Sequence, residues 1–175
     1  MFCARNSLSI RACTILLDKR RPIMKNQTLE IKVALQILKP VNTVFEAIID
    51  PVKMSNYFIS KSSERMIEGK QIRWTFPEFE EESPIRVGKI EQDRYISYYW
   101  EIDGEDLLVE MTLTPLDGDA TIVTITEKSR YNDEAGIKWL MGNTEGWANF
   151  LACLKAYLEY GVNLRKGAFD FLKIT

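Results

Sequence analysis

Asn143-Thr-Glu-Gly-Trp-Ala-Asn-Phe-Leu-Ala-Cys-Leu-Lys-Ala-Tyr-Leu-Glu-Tyr-Gly161 decides how the rest of the chain folds. Trp147, Phe150, Leu151, Leu154 and Leu158 recur at three-and-four spacing, which sets them on one face of an α-helix. Asn143 or Thr144 suits the cap, Glu145 the first turn, and Gly161 a left-handed stop. From Thr144 to Tyr160 such a helix spans roughly 25 Å at about 1.5 Å per residue, enough to lie across a small sheet. The chain before it reads as strands, so the helix is predicted to close that sheet.

Working back from the helix, Leu29–Ile37 alternates apolar with mostly polar residues, as a half-buried strand does. Pro40 ends it. Val41–Ile49 predicts a short helix, capped by Asn42 or Thr43 and turning Val44, Phe45, Ile48 and Ile49 inward. Asp50-Pro51 opens a further helical turn, because proline is favoured at the first helical position. Ile72, Trp74 and Phe76 then alternate with Gln71, Arg73 and Thr75 in a second strand. A meander comes next over 84–92, 95–102, 107–114 and 120–128, with tight-turn signals at Asp103-Gly104 and Asp117-Gly118. Strand, short helices, antiparallel strands and a long helix make an α+β protein. With no repeat, low-complexity tract or linker, residues 24–175 are read as a single domain.

The 175 residues are 46% hydrophobic and 27% charged with a net charge of -2, a balance typical of a soluble globular domain. No apolar run approaches the roughly 20 residues that span a bilayer. The mild acidity argues against nucleic acid, which needs a clustered basic face. Charge is uneven: residues 1–23 carry five bases and one acid, leaving 18 bases and 24 acids in residues 24–175. The N-terminal segment lacks any pattern continuous with the first strand, and Met24 would serve as a start. Residues 1–23 are therefore read as an over-extension or a disordered arm, with a transit segment as the alternative. Cys3, Cys13 and Cys153 have no paired spacing, so neither a disulfide framework nor a zinc site is expected. A reducing, cytoplasmic setting is the simplest reading.

The chain has no histidine, which removes Ser-His-Asp and Cys-His pairs and every histidine metal site. No phosphate-binding glycine loop occurs either, so neither a nucleotide cofactor nor any other is expected, and no catalytic or metal-binding set is assigned. Alternation turns Trp74, Phe76, Tyr98, Trp100, Val109, Met111, Leu113, Val123 and Ile125 toward the long helix. Such aromatics either fill a core or line a cavity with a few polar groups. On the second reading Trp74, Phe76, Tyr98, Trp100, Met111, Trp139, Trp147 and Leu151 line an apolar ligand site. Glu127 and Arg130, at the end of the last strand, are the polar groups expected at its mouth. Glu78-Phe-Glu-Glu-Glu82, between Pro77 and Pro84, reads as a solvated loop or as electrostatic guidance for a basic partner, with Phe79 as a contact.

Gly146-Trp147, Leu151, Leu154, Tyr157-Leu-Glu159 and Gly161 resemble the terminal motif of the family related to the activator of the heat-shock-protein-90 ATPase. Val44-Phe-Glu-Ala-Ile48 with Asp50-Pro51, and Thr124-Ile-Thr-Glu127, extend the likeness to roughly residues 28–165. The family belongs to the START-like, or SRPBCC, superfamily. The resemblance implies a helix-grip fold, a curved antiparallel sheet gripping a long C-terminal helix with a cavity between them. Superfamily members bind lipids, sterols, polyketides or hormones, and some are cyclases or aromatases. Chaperone activators carry their stimulatory asparagine- and tryptophan-rich motif in a separate N-terminal domain, and no such motif occurs here. The expected role is non-enzymatic binding of a small hydrophobic ligand. The alternatives are a co-chaperone-like module meeting a chaperone through the acidic loop, and a cyclase- or aromatase-like enzyme on an apolar substrate.

Overall fold

A computed structural model describes residues 27–102 and 104–174 of the chain. The readings of residues 1–23, of Met24 and of Asp103 lie outside the described residues.

Seven strands form one antiparallel sheet: β1 (Thr28–Ile37), β2 (Lys61–Ser62), β3 (Gln71–Thr75), β4 (Glu82–Glu91), β5 (Tyr95–Ile102), β6 (Glu105–Leu116) and β7 (Ala120–Tyr131). Their order is β1-β7-β6-β5-β4-β3-β2, so the meander runs in sequence and only β1 crosses over to pair with β7. Helices α1 (Val41–Ile49) and α2 (Pro51–Met54) fill that crossover, and α3 (Glu134–Tyr160) lies along the inner face of the curved sheet. A short 3-10 turn, Asp170–Ile174, ends the chain beyond the helix. This is the α+β helix-grip arrangement. Among the described residues no helix is long and apolar enough to cross a membrane.

The local chemistry explains the boundaries. Asp50 caps α2 by accepting from the Val52 N–H, with Pro51 at the first helical position. Gly118 closes the β6–β7 turn at φ 74°, where the left-handed region favours glycine. Strand alternation buries Trp74, Tyr98, Val109, Met111, Leu113, Val123 and Ile125, while Phe76 and Trp100 stay half-buried against the same core.

The long helix departs from its predicted start. It begins nine residues before Asn143, at Glu134, and its 27 residues run roughly 40 Å. Asp133 is the cap, accepting from the Gly136 N–H at 2.8 Å. Asn143 and Thr144 are therefore mid-helix, and the Thr144 hydroxyl donates back to the Leu140 carbonyl. Gly161 ends the helix at φ 66°, the left-handed stop that its sequence position implied.

The turn from β7 into α3 fixes where the helix enters. A Cβ on Gly136 would stand 1.9 Å from the backbone oxygen of Tyr131, which cannot swing away as a side chain could. Gly136→Ala should thus cost roughly 3 kcal/mol, the upper end of overpacking, read as a lower urea midpoint at unchanged slope. An unchanged midpoint would show that α3 starts elsewhere.

Candidate functional site

β7 alternates in phase, so Glu127 joins Val123 and Ile125 on the inner face and is fully buried. Four N–H groups converge on its carboxylate. The Nε1–H of Trp100, on β5, donates to Oε1 at 3.0 Å. From α3, Trp139 donates to Oε1 at 3.3 Å and Trp147 to Oε2 at 2.6 Å. Asn143 Nδ2 reaches both oxygens, at 3.0 and 3.2 Å. Residues 139, 143 and 147 are four apart, one ridge of the helix, which is why three of them meet one carboxylate.

The register of β7 shifts just beyond this point. Glu30 pairs with Lys128 but Leu29 pairs with Arg130, so Ser129 is the extra residue of a bulge. The bulge turns Arg130 inward, where it is 7% exposed and pairs with Glu105 at 3.3 Å.

An aromatic cavity of about 240 Å³ lies on the other side of the tryptophans. Trp100 and Trp147, with ring centroids 5.3 Å apart, form its inner wall together with Asn143. Phe58, Phe76 and Phe79 form the opposite wall, and Gly142 and Gly146 open the helix face toward it. Arg165, from the tail beyond α3, completes the rim. Its guanidinium donates to Glu78 at 2.7 Å, and Glu78 is itself only 3% exposed along its side chain. The first acid of the loop is therefore not solvated, whereas Phe79, Glu80 and Glu81 are exposed. A second recess, about 480 Å³, lies behind Arg165 between Tyr57–Ser60 and the tail.

Of the residues read as ligand contacts, Phe76, Trp100 and Trp147 line this cavity. Trp74, Tyr98, Met111, Trp139 and Leu151 do not. They are buried and packed, with Trp74 edge-on to Tyr98 at 5.1 Å and to Phe58 at 5.9 Å, and there they follow the filled-core reading of the aromatic face. Glu127 lies one side chain behind the cavity wall rather than at the mouth, and Arg130 is held by Glu105 away from it. Phe58, Asn143 and Arg165 join the cavity with no sequence signal of a ligand site, and Phe79, read from sequence as a partner contact in the acidic loop, lies in its wall. The four-residue spacing Trp139-Asn143-Trp147, opposite a glutamate in phase with an apolar strand face, is the sequence signal for the Glu127 cluster. Among the described residues no group of three or more metal-ligating side chains occurs.

A seven-stranded sheet gripping a long C-terminal helix, with a cavity at their seam, defines a START-like, helix-grip domain. The family of Activator of Hsp90 ATPase homolog 1-like proteins matches residues 39–159, and the chain belongs to that family. Protein SSP2350 from Staphylococcus saprophyticus is 34% identical, with a TM-score of 0.69 over 78% of this chain and 96% of that one. DynU16, from the dynemicin biosynthetic locus, is 25% identical with a TM-score of 0.67, over 75% of this chain and 48% of that one. The Aha1 dimer from Colwellia psychrerythraea shares the fold at 16% identity, with a TM-score of 0.66 over 76% of this chain and 98% of that one. No curated protein matches the chain.

Tyr98 packs beside the cluster, and among the described residues its hydroxyl is buried without a hydrogen-bond partner. Burial, and then the Glu127 charge, hold its pKa well above the ordinary 10.0. The unfolded tyrosine ionises near pH 10 and the folded one higher, so stability is complete below pH 10 and is lost as pH rises from there through the folded pKa. Tyr98→Phe should be neutral or slightly stabilising at pH 7, since it deletes an unpaired hydroxyl. Above pH 10 its stability should fall less steeply than wild type, by up to about 1.4 kcal/mol per pH unit. Denaturant titrations from pH 7 to 11 read both. A loss above about 1 kcal/mol at pH 7 would mean that the hydroxyl has a partner.

Proposed function

We propose that the domain binds a small, largely apolar ligand in the aromatic cavity and performs no chemistry on it. The observation that carries this reading is the pair of glycines inside α3. A glycine in a helix interior costs about 1 kcal/mol relative to alanine. Close packing would explain such a cost, but a Cβ on Gly142 or on Gly146 meets nothing within 4 Å. Both positions face the cavity. The helix gives up stability there and gains open space in return.

The remaining features fit binding better than catalysis. The Glu127 carboxylate, beside the inner wall, is committed to four N–H donors and sits behind that wall. The Tyr98 hydroxyl lies outside the cavity lining. General acid–base work needs a group within hydrogen-bond reach of the ligand, and neither is placed for it. The similar DynU16 belongs to a biosynthetic locus, a setting in which a small molecule is handled. At about 240 Å³ the cavity falls just below the usual range of about 300–1,000 Å³, which restricts it to a small ligand.

An apolar fluorescent probe should bind the wild-type protein stoichiometrically and shift its tryptophan emission. Gly146→Leu should lower probe affinity at least about tenfold, or 1.4 kcal/mol, while the domain stays folded, because the added side chain enters open space. Gly142→Ala should raise stability by about 0.5–1 kcal/mol. Should wild type bind no probe, and Gly146→Leu change nothing but stability, the protein-interaction reading through Phe79 and the acidic loop would take its place.

A further inference from the structure

The cavity walls are aromatic, and on the side of the long helix the polar groups behind and between them present negative charge and a lone pair, while the cation in the lining, Arg165, sits at the rim. The Nε1–H groups of Trp100 and Trp147 point away from the cavity and into Glu127, so both rings offer it only carbon and π-surface. An indole donating to a carboxylate is polarised toward its ring, which strengthens the negative face that attracts cations. The same carboxylate orients Asn143. Its Nδ2 donates to both Glu127 oxygens, and since a carboxylate has only lone pairs to offer, Oδ1 is turned away from it. Among the described residues no donor reaches that oxygen, and Asn143 lines the cavity. All four groups that Glu127 accepts from are neutral N–H donors, so its charge is dispersed without being cancelled.

The entrance carries both signs, with Lys173 near Phe79 and Glu80 and the Arg165 Nε buried without a hydrogen-bond partner among the described residues. Glu80 and Glu81 stand exposed beside Phe79, and the cation at the rim, Arg165, is ion-paired with Glu78 through its Nη2. The protein also holds a cation of its own against this wall: the Arg165 guanidinium carbon is 5.6 Å from the Phe58 ring centroid and 6.0 Å from that of Phe76. Distances near 6 Å are those at which a ring face attracts a cation.

We propose that the ligand of this cavity is an organic ammonium ion: an apolar body bearing a nitrogen cation with at least one N–H. The nitrogen lies over Trp100 and Trp147, donates its N–H to Asn143 Oδ1, and is drawn in by the Glu127 charge behind the rings. The inference rests on the cavity being a ligand site at all, and the experiment separates the two.

N,N-dimethylbenzylammonium and its neutral carbon isostere, isobutylbenzene, have nearly the same shape, and the carboxylate phenylacetate supplies the opposite charge. Each is titrated at pH 7 into the full-length protein and monitored by tryptophan fluorescence and calorimetry. The ammonium ion should bind at least about tenfold tighter than isobutylbenzene, and phenylacetate should not bind. Asn143→Leu should abolish that preference by weakening only the cation. Should Asn143→Leu fail to fold, the wild-type comparison of the two isosteres still decides. Equal or tighter binding of isobutylbenzene would overturn the ammonium assignment and leave an apolar carrier. Binding of phenylacetate as tightly as the ammonium ion would overturn it too. Failure of all three ligands to bind would overturn the ligand-site reading along with it.

Discussion

Glu127 holds the structure together at the point where sheet and helix meet. A carboxylate taken into a protein interior loses several kcal/mol of hydration unless its oxygens are satisfied. Here they accept from one side chain on β5 and three on α3, all N–H donors. Hydrogen bonds to a charged group contribute about 1.5–3 kcal/mol each, so four of them are of the order of that loss. The geometry answers this demand. The helix cannot rotate about its axis or slide along the sheet without pulling Trp139, Asn143 and Trp147 off the carboxylate. The indoles are thereby locked, and with them the inner wall of the cavity.

Much of this architecture was legible in the residues, for a plain reason. Alternation along a strand and three-and-four spacing along a helix are local, so β3, β5, β7 and the C-terminal two-thirds of α3 could be read directly. The first turns of α3 were not. Gly136 and Gly142 interrupt the pattern, and Ile137 and Met141 are 47% and 70% exposed, so apolar side chains there mark the wrong face. From sequence Glu127 reads only as a polar strand end at a cavity mouth, because its partners lie 12 to 27 residues away and converge only in three dimensions. The same limit hid Arg165, whose partner Glu78 is 87 residues distant. Whether the aromatic face was filled or hollow depended on packing, which alternation does not encode. Phe58 wedged edge-on between Trp74, Phe76 and Phe150 is the detail that fills most of it.

Family and fold sit at a different level from ligand chemistry. The fold is shared with structures as little as 16% identical, and such likeness carries the sheet, the helix and the seam between them. Ligand chemistry would instead be set by the lining: two open glycines, a fixed asparagine, and rings backed by a charge. The glycines cost helix stability, and the surrounding core of Trp74, Tyr98, Met111 and Leu151 is closely packed.

The Arg165–Glu78 pair has a kinetic consequence. Arg165 reaches the cavity rim from beyond the helix end, so widening the entrance on that side and breaking the pair are one event. On the proposed ligand-binding reading, the walls would set how tightly an occupant is held and the lifetime of the pair how long it stays. Those two quantities answer differently to salt. Charges at the exposed entrance are screened within a distance of about 8–10 Å at moderate ionic strength, but a pair whose carboxylate is 3% exposed is screened far less. For a charged occupant of the proposed site, ionic strength would therefore act on arrival far more than on departure.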